Sequence, residues 1–149
     1  MDDAGYMKIA LEEAKKAGRR GEVPVGAVLV SNGGEIIAHD SNRCLELKDP
    51  TAHAEINVLR QAGKKLNNYR LLSTTVYVTI EPCLMCAGAL VQARISRLVF
   101  GAGDPKAGAI RSKYAIGLDG MLNHTLLVSN GVLAEECGGL LKEFFSERR

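Results

Sequence analysis

The sequence predicts an α/β fold in three layers, α/β/α, with one mixed five-stranded sheet and helices on both of its faces. Three observations predict it. Five short apolar runs of strand length, most of them rich in β-branched residues, are spread along the chain. After an opening pair of such runs, helical periodicities alternate with strands, the order that yields parallel neighbours covered by helices. No repeat, low-complexity stretch or linker interrupts the chain, so its 149 residues read as one domain, 1–149, large enough to bury a core.

Met7, Ile9, Leu11, Ala14 and Ala17 make one apolar stripe on a first helix predicted to end at Gly18. VPVGAVLV and GEIIAHD follow, joined by SNGGE, a turn signal that makes them a hairpin. In DPTAHAEINVLRQAGKKL, Asp49, Pro50 and Thr51 are start signals for a helix whose periodicity runs through Ile56, Leu59 and Leu66. STTVYVTI reads as a buried strand. A helix is predicted from Pro82 to about Ala93, because the missing N–H of proline would be unpaired in a first turn anyway. The strand RLVFGA comes next. The connection GDPKAGAIRSKYAIGLDGMLNH is long for a compact domain, and such segments carry function or irregular helix. TLLVSN is a last strand and LAEECGGLLKEFFSERR a last amphipathic helix, basic at its end.

Composition narrows the class. The net charge of +2 is weak evidence for an acidic partner. No apolar run approaches the roughly 18–20 residues of a membrane span. The N-terminal MDDAGYMKIALEEAKKAG, with early acids and spaced charges, is unlike a secretory signal, so a soluble cytoplasmic protein is expected. Cys44, Cys83, Cys86 and Cys137 are too few and too unevenly spaced for a disulfide framework, which leaves reduced thiols or metal ligands.

EPCLMCAGAL raises the chemical question. On the predicted helix Cys83 and Cys86 stand one turn apart on one face, so both sulfurs can reach one ion. A helix N-terminus favours the thiolate that binds metal, but it equally suits a redox pair. A zinc site needs a third ligand, and TAHAEI offers His53. Cys137 is a poor fourth ligand on an apolar helix pattern, while Cys44, in a loop, stays a candidate by position. Three protein ligands and one open position describe a catalytic zinc. Glu55 follows His53 by two residues, about 200° around an ideal helix, so spacing alone does not aim both at one metal. Singly, a histidine, a glutamate or a Cys-x-x-Cys has commoner uses. Together, His-Ala-Glu and a Pro-Cys-x-x-Cys some thirty residues on form the pattern of zinc deaminases acting on nucleobases.

On these motifs, with EVPVGAVLV, RISRLVFGAGDPKAGA, LNH and LLKEFFSERR, the chain resembles the tRNA-specific adenosine deaminases, of the cytidine-deaminase-like superfamily. The resemblance covers nearly the whole length. It implies one zinc per chain on His53, Cys83 and Cys86, water in the fourth position, and Glu55 as the proton shuttle. It implies hydrolysis of adenosine to inosine at the wobble position of a tRNA anticodon, with no nucleotide cofactor. It gives Asn42 and the backbone N–H of Ala54 contacts to the purine, Asp104 and Asn123 contacts to the flipped nucleotide or its neighbours, and Phe145 and Arg149 contacts to RNA. A homodimer with RNA across both subunits is expected. Gly103 and Pro105 depart from the larger residues common in relatives, and RSKYAIGLDG matches poorly.

Three other readings stand beside this one. A free nucleobase or nucleotide deaminase (guanine, cytosine or dCMP) would share the core. A zinc-stabilised RNA-binding module would have no use for Glu55, and a thiol redox protein would leave His53 and Glu55 unexplained. Lys64, Lys65, Arg70, Arg94, Arg97, Lys106, Arg111, Lys113, Arg148 and Arg149 are candidates for an RNA surface, most of them ordinary solvated charges when taken singly. Of the adjacent Phe144 and Phe145, about 100° apart on a helix, one is expected in the core and the other free.

Overall fold

A computed structural model describes residues 1–148. Its elements run α1 (Asp3–Arg19), β1 (Gly26–Val30), β2 (Ile36–Ser41), α2 (Cys44–Leu47), α3 (Ala54–Leu66), β3 (Thr75–Ile80), α4 (Leu84–Gln92), β4 (Arg97–Ala102), β5 (Leu127–Asn130) and α5 (Ala134–Ser146). The five strands form one mixed sheet in the order β2-β1-β3-β4-β5. β1 pairs antiparallel with both β2 and β3, whereas β3–β4 and β4–β5 are parallel. The expected three-layer architecture and element order are present, with α2 added.

Alternation along the strands divides the core. Ala27, Leu29, Val76, Val78, Leu98 and Phe100 pack on one face with residues of α3 and α4, among them Val58, Ala62, Ala87 and Leu90. Val28, Val30, Tyr77 and Val99 pack on the other with Met7, Ala10 and Leu11 of α1 and Cys137 of α5. A period of two on strands buried on both sides explains why VLV and VYV are continuous apolar runs.

α1 is capped by Asp2, whose side chain accepts from the Gly5 N–H at 2.9 Å. It runs one residue past Gly18, and Gly21, with φ of +84°, turns the chain away where a side chain would be strained. Two helix starts differ from expectation. Asp49 is spent on the N–H and hydroxyl of Thr51, at 2.8 and 2.7 Å, and α3 begins only at Ala54. Likewise α4 begins at Leu84, so Pro82 lies before the helix rather than in its first turn.

The pairing puts several chain segments at one end of the sheet. Ser41 ends β2 opposite Gly26, Ala27 pairs with Val78, and Ile80 pairs with Ala102. The exits of β2, β3 and β4, which lead to Asn42, Cys83 and Asp104, therefore lie at one end of the sheet, that of β2 set apart from the other two by the start of β1. In open α/β sheets, the carboxyl ends of parallel strands are where ligands bind.

Candidate metal centre and active site

His53 is the N-cap of α3 and Cys83 the N-cap of α4, both with extended backbone, at φ −72°, ψ 155° and φ −75°, ψ 176°. Cys86 lies in the first turn of α4 and is fully buried. The candidate ligand atoms of His53, Cys83 and Cys86 all lie within 4.8 Å of one another. The Cys83 and Cys86 sulfurs are 3.6 and 3.4 Å from His53 Nδ1. Two sulfurs and one imidazole are the donor set of zinc, so the residues fit that ion. Among the described residues no other group of this kind occurs. Cys44, whose sulfur lies 4.0 Å from the Pro50 carbonyl, and Cys137, packed under Gly101, are not part of it.

Burial and mutual hydrogen bonds move His53, Cys83 and Cys86 from their ordinary values. Hydrogen bonding from Cys86, then from His53, lowers the Cys83 thiol to about 4. Cys86 is pushed far above the ordinary thiol range by Cys83 and by burial. His53 is raised, chiefly by its hydrogen bond with Cys83. Glu55, only 4% exposed, is raised by burial to about 7 and lies in the field of His53 and Cys83. The angular difficulty in the sequence disappears: His53 is outside the helix, so the 100° per residue that would separate it from Glu55 does not apply.

The other expected contacts divide. Asn42 is buried at the exit of β2, and its Oδ1 accepts from the Ala54 N–H at 2.8 Å, so these two are paired with each other. Arg20 supports them, donating to Ser41 Oγ at 2.8 Å and to the Asn42 carbonyl at 3.0 Å. Asp104 Oδ1 accepts from the N–H groups of Lys106 and Ala107, at 3.1 and 3.2 Å, which closes a turn. Asn123 is exposed, and its carbonyl accepts from Arg94 at 3.2 Å. Phe144 is buried and Phe145 is 47% exposed, as the helix geometry requires. Arg149 lies outside the described residues. Arg97 does not belong to a free basic surface: it pairs with Asp3 at 2.9 and 2.7 Å and reaches Ser129 at 3.0 Å.

Three buried groups near the site went unread in the sequence. Glu22 accepts from the N–H groups of Leu45 and Glu46, at 3.0 and 2.9 Å, and so caps α2 from far along the chain. Asn57 bridges the Ser41 carbonyl, at 2.8 Å, to α3. Glu81 is 4% exposed where β3 leads into Pro82 and Cys83. An acidic residue closing a run of apolar strand residues was the available signal for Glu81.

A family model of MafB19-like deaminases matches residues 1–149. The chain is 54% identical over 147 residues to a tRNA-specific adenosine deaminase of Haemophilus influenzae, covering 99% of this chain and 85% of that protein. It is 50% identical to one of Bacillus subtilis, over 99% of this chain and 91% of that one. Among solved structures, a chain from work on A-to-I editing by tRNA:A34 deaminases at the wobble position superposes with a TM-score of 0.88 at 46% identity. That superposition covers 91% of this chain and 98% of the other. A guanine deaminase of Bacillus subtilis superposes with a TM-score of 0.67 at 30% identity, covering 99% and 94%.

Proposed function

The chain belongs to the MafB19-like deaminases, among the tRNA-specific adenosine deaminases, and from that premise we propose that it converts adenosine to inosine at the wobble position of a tRNA anticodon. The observation that carries the chemistry is the convergence of His53, Cys83 and Cys86 beside the buried Glu55. The reading of the substrate is supported by identities of 54% and 50% to tRNA deaminases, against 30% to a guanine deaminase.

His53, Cys83 and Cys86 would hold one zinc ion, which when bound lowers the pKa of water from about 15.7 to near 7. Glu55 serves as the proton carrier, because its carboxyl changes charge near neutrality, where both giving and taking a proton are feasible. It takes a proton from water as the water oxygen bonds to C6 of adenine. It passes that proton to N1 as the C6–N1 double bond opens, then carries the proton of the new C6 hydroxyl to the amino group, which leaves as ammonia when the C6–N bond breaks and the C6 carbonyl forms. Asn42 presents an amide to the base edge, with its Oδ1 held by the Ala54 N–H. An anticodon-loop base is already unpaired, so extruding it is inexpensive.

Asp104, Asn123, Phe145 and Arg149 complete the proposed RNA contacts. The enzyme works as a cytoplasmic homodimer in this reading; the exposed Leu84 and Met85, beside the metal ligands on α4, suit a surface that a second copy covers. No helix among the described residues is long and apolar enough to cross a membrane. The test is inosine formation in an anticodon stem-loop, beside ammonia release from free adenosine, guanine and cytosine. Inosine in the stem-loop with little release from any free base is expected. Brisk release from a free base with an unreacted stem-loop would move the chain to small-molecule deamination.

A further inference from the structure

Glu81 takes no part in the chemistry above, yet its carboxylate accepts five hydrogen bonds, all from neutral donors. Oε1 takes the Asp104 N–H at 3.0 Å and the Ser112 hydroxyl. Oε2 takes the N–H groups of Ile110, Arg111 and Ser112, at 3.1, 2.8 and 3.0 Å. All five donors belong to the segment between β4 and β5. The Ala109 N–H adds a bond to the Pro82 carbonyl at 2.9 Å. Gly108 is required by the same arrangement: a Cβ there would run into the Glu81 carboxyl and stand 2.6 Å from the Asp104 carbonyl.

The held segment has little regular structure of its own, so without these bonds its backbone would recover many conformations. Its exposed side chains include Lys106, Arg111, Lys113 and Tyr114, three cations suited to phosphates and a ring suited to stacking on a base. Glu81 itself sits two residues before Cys83. One carboxylate thus ties a cationic surface to the strand end that presents the metal ligands.

We infer that Glu81 is a positioning residue for substrate recognition, fixing residues 104–112 as the surface that binds nucleotides flanking the reacting adenosine. This rests on the proposed tRNA activity. In Glu81→Gln the side chain keeps its shape, but an NH2 group replaces one acceptor and must face N–H or O–H donors. A surface that binds ground and transition states alike is lost from KM and not from kcat.

Stem-loop kinetics, zinc content and amide hydrogen exchange are measured together for the wild type, Glu81→Gln and Gly108→Ala. Both variants should raise KM about 10-fold or more, keep kcat within about 3-fold, hold zinc at the wild-type level and exchange faster over 104–112. Loss of zinc in Glu81→Gln, or a fall in kcat at unchanged KM, would overturn the inference, because Glu81 would then serve the metal helix. Unchanged KM and exchange in both variants would overturn it too. Should Glu81→Gln not fold, Gly108→Ala carries the test alone, since it disturbs the same contact from the other side. A wild type that makes no inosine is a separate result and removes the proposed activity instead.

Discussion

His53 and Cys83 occupy the same position in two helices, the last extended residue before the first turn. A side chain at that position projects toward the open end of its helix, where unpaired N–H groups favour negative charge. Two such ends facing each other bring an imidazole and a sulfur together, and Cys86, in the first turn of α4, adds the second sulfur. A zinc site built on these three residues, as proposed, would tolerate no omission. Cys83→Ser, Cys86→Ser and His53→Ala should each lose zinc and activity, read by elemental analysis beside inosine formation; stoichiometric zinc in Cys86→Ser would refute the ligand set. Glu55→Ala should retain zinc and lose at least about 10²-fold in rate, the low end for acid–base catalysis. The residue types of this site were legible in HAE and PCLMC. Their aim was not, because a cap and a first-turn residue share the same sequence signals and differ only in backbone angles.

At the scale of elements, α1 lies so close on β1 that Gly26 has no room for a side chain. A Cβ there would meet the Ala10 carbonyl, and would stand 2.6 Å from the Ala14 N and 2.9 Å from the Glu13 Cβ. Gly26→Ala should destabilise the protein by about 1–3 kcal/mol, the usual cost of overpacking, measured by denaturant unfolding with zinc held constant. α1 is also tied across the sheet by Asp3, whose carboxyl is held low chiefly by its hydrogen bond from Arg97. A depressed folded pKa gives stability above the unfolded value, about 3.9, that is lost as pH falls through the folded one. Asp3→Asn should therefore melt lower than wild type at pH 7, and the gap should begin to close only as pH falls below about 4, vanishing once the pH is below the folded pKa. Apart from β5, whose residues are exposed or half-buried, the helices and strands that the periodicity revealed are those with a buried apolar face. α2 escaped because four residues hold no period, and its cap, Glu22, comes from far along the chain. Arg97 was read as a surface cation for the same reason: its partner Asp3 is 94 residues away.

At the scale of the whole molecule, the sheet gathers Asn42, Cys83 and Asp104 at one end although their chain positions are far apart. Two kinds of remote contact can then be told apart by salt. Lys106 is an exposed cation on the segment held by Glu81, and a phosphate contact there releases about 0.7 counterion equivalents from a single strand. Phe145 is an exposed ring near the end of α5, and stacking on a base releases none. Lys106→Ala should therefore weaken stem-loop binding and flatten the slope of log affinity against log salt by about 0.7. Phe145→Ala should weaken binding by about 1–3 kcal/mol at every salt concentration and leave the slope as it was. Fluorescence anisotropy of a labelled stem-loop from low to moderate salt measures both, with zinc content as the control. Parallel wild-type and Lys106→Ala lines would remove that lysine from the RNA surface, and a changed slope in Phe145→Ala would show that its ring acts on the charges around it rather than on a base.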